Sequence, residues 1–146
     1  VLQHWKTYCA GAEESSLAVP QPSIWRVARN IYVGESNEEA WHHTMNGSFA
    51  DSFTYLIDVL KSLNMLHVMK HDPDLPDSQV TLEYILKNLC IVGDVDSCVH
   101  QLQELWEISG GFDTLLMMAH DWDDKEKWVR SMELLAKEVV PALPTI

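Results

Sequence analysis

Gly110-Gly111-Phe112-Asp113-Thr114-Leu115-Leu116-Met117-Met118-Ala119-His120-Asp121-Trp122 decides how the chain is read. A glycine pair ends a helix, an apolar run of strand length follows, and a polar His-Asp-Trp cluster closes it. Phe112–Ala119 shows no polar alternation, so both of its faces are expected to be covered, as in a parallel α/β sheet. It reads as the last strand of a parallel α/β barrel, in which any chemistry sits at the strand's carboxyl end, beside the His120-Asp121-Trp122 cluster.

Working outward, Ile24–Val33 (IWRVARNIYV) reads as a second strand, apolar or β-branched with Arg26, Arg29 and Asn30 interspersed. Gly34 breaks it. Ser36-Asn37-Glu38-Glu39 then forms a capping box, in which the Ser36 hydroxyl accepts from the Glu39 N–H while Glu39 reaches back. A short helix through Trp41 stops near Asn46-Gly47. Phe49, Phe53, Leu56, Ile57, Leu60 and Leu63 recur at helical spacing, predicting a helix to about residue 70. The proline-broken acidic stretch His71–Asp77 is a loop. Leu82–Leu89 and Val95–Trp106 give two further helical stripes, with Cys90–Gly93 briefly extended between them. The second stripe closes at Gly110, where glycine suits a left-handed cap. Asp123 with Glu126 predicts the cap of a last helix ending before Pro141.

These elements divide the chain into a helix and linker (1–23), a strand–helix unit (24–45), a lid-like insertion (46–78), helices (79–111) and the last strand and helix (112–146). The helix–strand–helix alternation around Phe112–Ala119 is that of an α/β barrel. The separation between the two strands far exceeds the roughly 30 residues of a minimal βαβ unit, and the excess falls where barrel lids lie. Two parallel strands with open edges are incomplete by themselves. The missing strands are expected from an amino-terminal barrel portion, another polypeptide or a second copy of the chain. An antiparallel helical bundle capturing the two strands is the structural alternative.

Composition narrows the function classes. The 146 residues are 47% hydrophobic and 22% charged, ordinary for a globular protein. Ten basic residues against 22 acidic give a net charge of −12, which repels nucleic acid and anionic lipid, so neither is expected as a partner. Cys9, Cys90 and Cys98 have no CxxC spacing and read as free thiols of a cytoplasmic protein. No apolar run reaches membrane-spanning length.

Three stretches carry a family resemblance: WRVARNIYVGESNEEAW, DPDLPDSQVTLEYILKNLCIVGDVDSCVHQLQEL and GGFDTLLMMAHDWDDKEKWVRSMELLAKEVVPAL. They resemble the bacterial-luciferase-like flavin-dependent monooxygenases, especially the limonene-monooxygenase-like branch. IVGDVDS is similar to that family's (I/V)VG-(S/T)-P-(E/D) helix entry, with Val95 in place of the proline. The resemblance implies the carboxyl-terminal portion of a (β/α)8 TIM barrel whose last two strands are Ile24–Val33 and Phe112–Ala119. It implies reduced FMN, supplied by a separate flavin reductase, and oxygen acting on a small organic substrate. No flavin is expected to bind this chain alone, since most flavin contacts in the family come from earlier strands. Residues at the two strand ends are the cofactor or substrate-pocket candidates: Val33, Gly34 and Glu35, with Met118, Ala119, His120, Asp121 and Trp122. No catalytic residue and no metal site is assigned. A non-catalytic assembly module, pairing through strand edges and the Phe49–Leu63 stripe, is the alternative. A deazaflavin (F420) dehydrogenase is a third reading by fold analogy.

Other clusters have plainer explanations. His67 and His71 stand at i, i+4 beside Asp72 and Asp74 but lack a third ligand, and read as solvated helix-end histidines. His42 and His43 are adjacent on a helix and point different ways. Met65, Met69, Met117 and Met118 read as core filling. Cys98, near a helix start, could carry a lowered pKa, yet no His/Asp partner marks a nucleophile.

Overall fold

The computed structural model describes residues 2–118 and 123–144. Its sheet has three parallel strands, not two. β1 (Arg26–Val33) is central, flanked by β2 (Cys90–Gly93) and β3 (Thr114–Met118). β2 pairs with Asn30–Val33, and β3 pairs with Arg26–Asn30, so the two neighbours grip opposite halves of β1. A three-stranded parallel sheet with helices between its strands sets aside the alternative of a helical bundle that captures two strands. β1 starts at Arg26 because Pro22–Ile24 forms a 3-10 turn, where proline fixes φ for a tight turn. β3 starts at Thr114, after Gly110 and Gly111 at φ 77° and 97° close the preceding helix. Ala119, expected as its last residue, lies outside the described residues.

The helices are α1 (Leu2–Glu14), α2 (Asn37–Asn46), α3 (Ser48–Ser62), α4 (Leu82–Leu89), α5 (Val95–Ser109) and α6 (Lys125–Leu134). A π-helical turn, Leu135–Val139, carries α6 on through Pro141 to Ala142, beyond the expected stop. α3 ends at Ser62, well short of residue 70, because Asn64 turns left-handed at φ 55° and a 3-10 turn, Leu66–Met69, follows.

Two cores cover the sheet. Tyr32, Cys90 and Val92 pack with Phe49, Ile85 and Trp128, from α3, α4 and α6. Ile31, Val33 and Ile91 pack with Cys98, Leu102 and Leu134, from α5 and α6. β3 departs from the expectation of two covered faces. Leu115 and Met117 pack against the second core, while Leu116 and Met118, on the alternate face, are each 46% exposed. Ala28, the register partner of Leu116, is exposed beside them. An apolar strand with one bare face, at the edge of the sheet among the described residues, is a piece of a larger sheet.

Candidate functional site

The candidate residues gather at the carboxyl ends of β1 and β3, at different heights. Met118 is level with Asn30, whereas Val33 is level with Gly93, so Val33-Gly34-Glu35 stands three residues further along the strand direction. Ala119, His120, Asp121 and Trp122 lie outside the described residues.

Val33 is 1% exposed, with its side chain in the α5–α6 core. Its N–H donates to Ser131 Oγ on α6 at 2.8 Å. The Gly34 N–H donates to the Gly93 carbonyl at 2.9 Å, extending the β1–β2 pairing by one bond. A Cβ on Gly34 would lie 2.9 Å from the Ala40 nitrogen and closer still to the Glu39 carboxylate, so the β1–α2 connection turns where only glycine fits. The Ser36 half of the capping box forms: Ser36 Oγ accepts from the Glu39 N–H at 3.1 Å. Glu39 reaches back one residue beyond the cap, its Oε2 accepting from the Glu35 N–H at 3.1 Å. The Glu35 carboxylate pairs with Arg130 Nε at 2.6 Å, which holds it below its ordinary pKa. That pair is solvent-exposed and positions α6 more than it stabilises the fold.

The second helix start at this rim is equally occupied. Asp94 Oδ1 accepts from the Ser97 N–H at 2.9 Å, and Asp94 and Asn37 exchange two bonds at 2.9 and 3.0 Å that tie α5 to α2. A carboxylate at that position leaves no anion site on IVGDVDS.

A cluster the sequence did not single out lies beside this rim. Tyr32 stacks on His43 at 4.4 Å, Trp128 meets Tyr32 edge-on at 5.2 Å, and Phe49 stacks on Trp128 at 6.1 Å. Burial lowers the His43 pKa, and burial beside Glu39 raises that of the Tyr32 hydroxyl. Asp123 governs the outer edge. Its Oδ1 accepts from Trp128 Nε1 at 3.0 Å, and its Oδ2 accepts from the Ser48 N–H at 2.7 Å. These bonds, led by Ser48, lower its pKa to about 2. The cap of α6 is therefore Asp124, which accepts from the Lys127 N–H, and not Asp123.

The remaining clusters resolve as structure. His43 is buried and His42 exposed, as adjacency predicted. His71 leaves the helix pattern and stacks on Tyr84. Among the described residues no group of three or more His, Cys, Asp or Glu side chains is arranged to hold a metal ion. Met117 fills core, but Met65 and Met118 are exposed. The Cys98 thiol is pushed up to about 12 by burial, the reverse of a helix-start activation, and Cys90 likewise. Among the described residues no helix is long and apolar enough to cross a membrane.

No protein-family profile matches the chain. It is 30% identical over 143 residues to 3,6-diketocamphane 1,6-monooxygenase of Pseudomonas putida, an alignment covering 97% of this chain and 38% of that enzyme. The structure superposes with a TM-score of 0.84 on the oxygenating constituent of 3,6-diketocamphane monooxygenase from Pseudomonas putida, a type II Baeyer-Villiger monooxygenase in complex with FMN. That match is 29% identical, spanning 99% of this chain and 40% of the other. The chain matches the carboxyl-terminal portion of the luciferase-like FMN-dependent monooxygenases. Limonene 1,2-monooxygenase of Rhodococcus erythropolis, another such monooxygenase, is 26% identical over 142 residues, 34% of its length. The chain thus spans about two fifths of the luciferase-like monooxygenases it matches, as a partial barrel.

Proposed function

We propose that this chain forms the closing portion of a flavin-dependent monooxygenase that uses reduced FMN, delivered by a separate reductase, and oxygen on a small organic substrate. The observation that carries the reading is the bare apolar face of Ala28, Leu116 and Met118 on a sheet that superposes on two fifths of an FMN-bound relative. Barrel sites open at the carboxyl ends of strands, and Met118 stands at such an end.

The residues present fit one wall of a flavin pocket. Leu116 and Met118 offer an apolar surface on which a flat ring system can lie and from which water is excluded. Val33, whose side chain is sealed in the α5–α6 core, drops out of the rim; Gly34, Glu35 and Ala119–Trp122 remain its proposed rim, and residues 46–78 its lid. Ser36 and Asp94 already occupy both helix starts at this rim, so the phosphate is held by the absent portion. When bound, reduced FMN would supply the two electrons that let one oxygen atom of O2 enter the substrate while the other leaves as water. The chain's own residues orient the ring and keep the site dry. The buried thiols of Cys90 and Cys98 suit a reducing cytoplasm.

Anaerobic titration with reduced FMN tests this. The chain alone is expected to retain no flavin, and the chain co-expressed with the preceding barrel portion of a relative is expected to bind it. A completed barrel that folds and is monodisperse yet binds no flavin would overturn the proposal. Binding of F420 in preference to FMN would favour dehydrogenase chemistry. The exposed Leu116 and Met118 equally suit a second copy, and a stable flavin-free dimer would favour the assembly reading.

A further inference from the structure

The structure assigns to Asp123 the role of a positioning residue that caps α3 from 75 residues away and latches the inserted segment to the loop after β3. Its functional weight rests on reading that rim as the mouth of the flavin site. The helix needs such a cap. Its N-cap position is Gly47, which has no side chain, and its first N–H groups lie too early for intrahelical partners. Asp123 Oδ2 sits 2.7 Å from the first of them, on Ser48, and adds a negative charge where the helix dipole favours one. Gly47 makes room for it: a Cβ there would stand 2.5 Å from the same carboxylate oxygen.

The other carboxylate oxygen fixes the Trp128 indole at 3.0 Å. That ring stacks on Phe49 of α3 and lies edge-on to Tyr32 of β1. One carboxylate therefore couples three elements. The insertion, the connection after β3 and the carboxyl end of β1 move together when it is in place.

Amide exchange by NMR on this chain decides the matter, with Ser48 N–H and the Trp128 indole N–H as probes. Loss of a helix cap corresponds to about a five- to tenfold faster opening at these two sites in Asp123→Ala. Gly47→Ala, which leaves Asp123 intact but displaces it, is expected to loosen the same pair. Asp123→Asn retains an accepting oxygen without the charge and should fall between, and it serves as the readout if the alanine variant does not fold. Ile31 and Ile85 amides should be unchanged. Exchange at Ser48 equal to the parent's, or acceleration spread evenly to Ile31 and Ile85, would overturn the latch. In a completed, flavin-binding barrel, Asp123→Ala should raise KM more than it lowers kcat, and an unchanged KM would overturn the positioning role. A completed barrel that fails to bind flavin refutes the monooxygenase reading alone, since the exchange result stands without flavin.

Discussion

The bond from the Val33 N–H to Ser131 Oγ offers the sharpest test of how the strand end is held. Both residues are buried, Val33 at 1% and Ser131 at 0% exposure, and they are 98 positions apart in sequence. Ser131→Ala removes the acceptor and leaves the amide sealed from water. An orphaned buried donor costs about 1–3 kcal/mol, more than the net worth of an average hydrogen bond, because the donor loses its partner without regaining solvent. Ser109→Ala is the control. Ser109 is equally buried, but its hydroxyl donates to the Trp106 carbonyl, which also accepts from the Gly111 N–H at 3.0 Å. Losing that hydroxyl leaves no group unpaired, so the expected cost is about 0.5 kcal/mol or less. Urea unfolding followed by circular dichroism, with the slope checked for constancy, measures both. If Ser131→Ala and Ser109→Ala shift the midpoint equally, the claim that α6 holds the end of β1 through this bond is wrong.

Leu116→Asp should leave the unfolding midpoint of this chain within about 0.5 kcal/mol of the parent, since the side chain is half exposed, yet abolish flavin retention by a completed barrel. A parent-like flavin titration would show that this face is not the pocket wall. Cys90 and Cys98 should resist a thiol reagent at pH 8 until the chain unfolds, because burial holds both thiols near 12 while Cys9 is partly exposed. Fast modification of two or more thiols in the folded state contradicts that burial. Asp123 titrates at about 2, below its ordinary value of 3.8, so its stabilising bonds are fully present above about pH 4 and are lost as pH falls through the lower value. The Trp128 indole resonance should follow that transition. A midpoint near 4 would mean that the carboxylate is not held by Ser48 and Trp128. His43, Lys127 and Asp124 also act on this corner, so the control is the same titration in His43→Gln.

The main strands, the capping box at Ser36 and the left-handed close at Gly110 were legible because each is specified by a few neighbouring residues. Apolar runs bounded by glycine, a Ser-x-x-Glu spacing and a positive-φ glycine need no knowledge of distant contacts. The features that escaped mostly depend on distant partners. β2 has four residues, too few for a period to show, and is a strand only because β1 supplies its partner. The end of α3 was hidden because the 3-10 turn Leu66–Met69 keeps apolar residues three apart, close enough to helical spacing to extend the stripe. Asp123 and Asp124 are both competent caps in sequence, and only the approach of α3 separates their roles. Cys98 sits in the first turn of a helix, where the dipole would lower its pKa, but complete burial acts in the opposite direction and wins.

The two faces of β3 argue against reading the chain as finished in itself. Leu115 and Met117 pack against residues of α5 and α6, so that side of the strand is partly covered. Leu116, Met118 and Ala28 on the other side have the composition of a core and the exposure of a surface. A sequence adapted to leave that side wet would place polar residues at these positions, since alternation in a strand changes one face without disturbing the other. Retaining hydrophobic residues on both faces makes sense where something apolar covers the second. The polar anchors lie elsewhere: Ser131 of α6 takes the amide at the end of β1, while Asp94 and Asp123 take the first free N–H groups of α5 and α3. Under the proposed function, polar substitution at Leu116 or Met118 is expected to remove flavin binding, while substitution at the rim is expected to alter how the bound site closes.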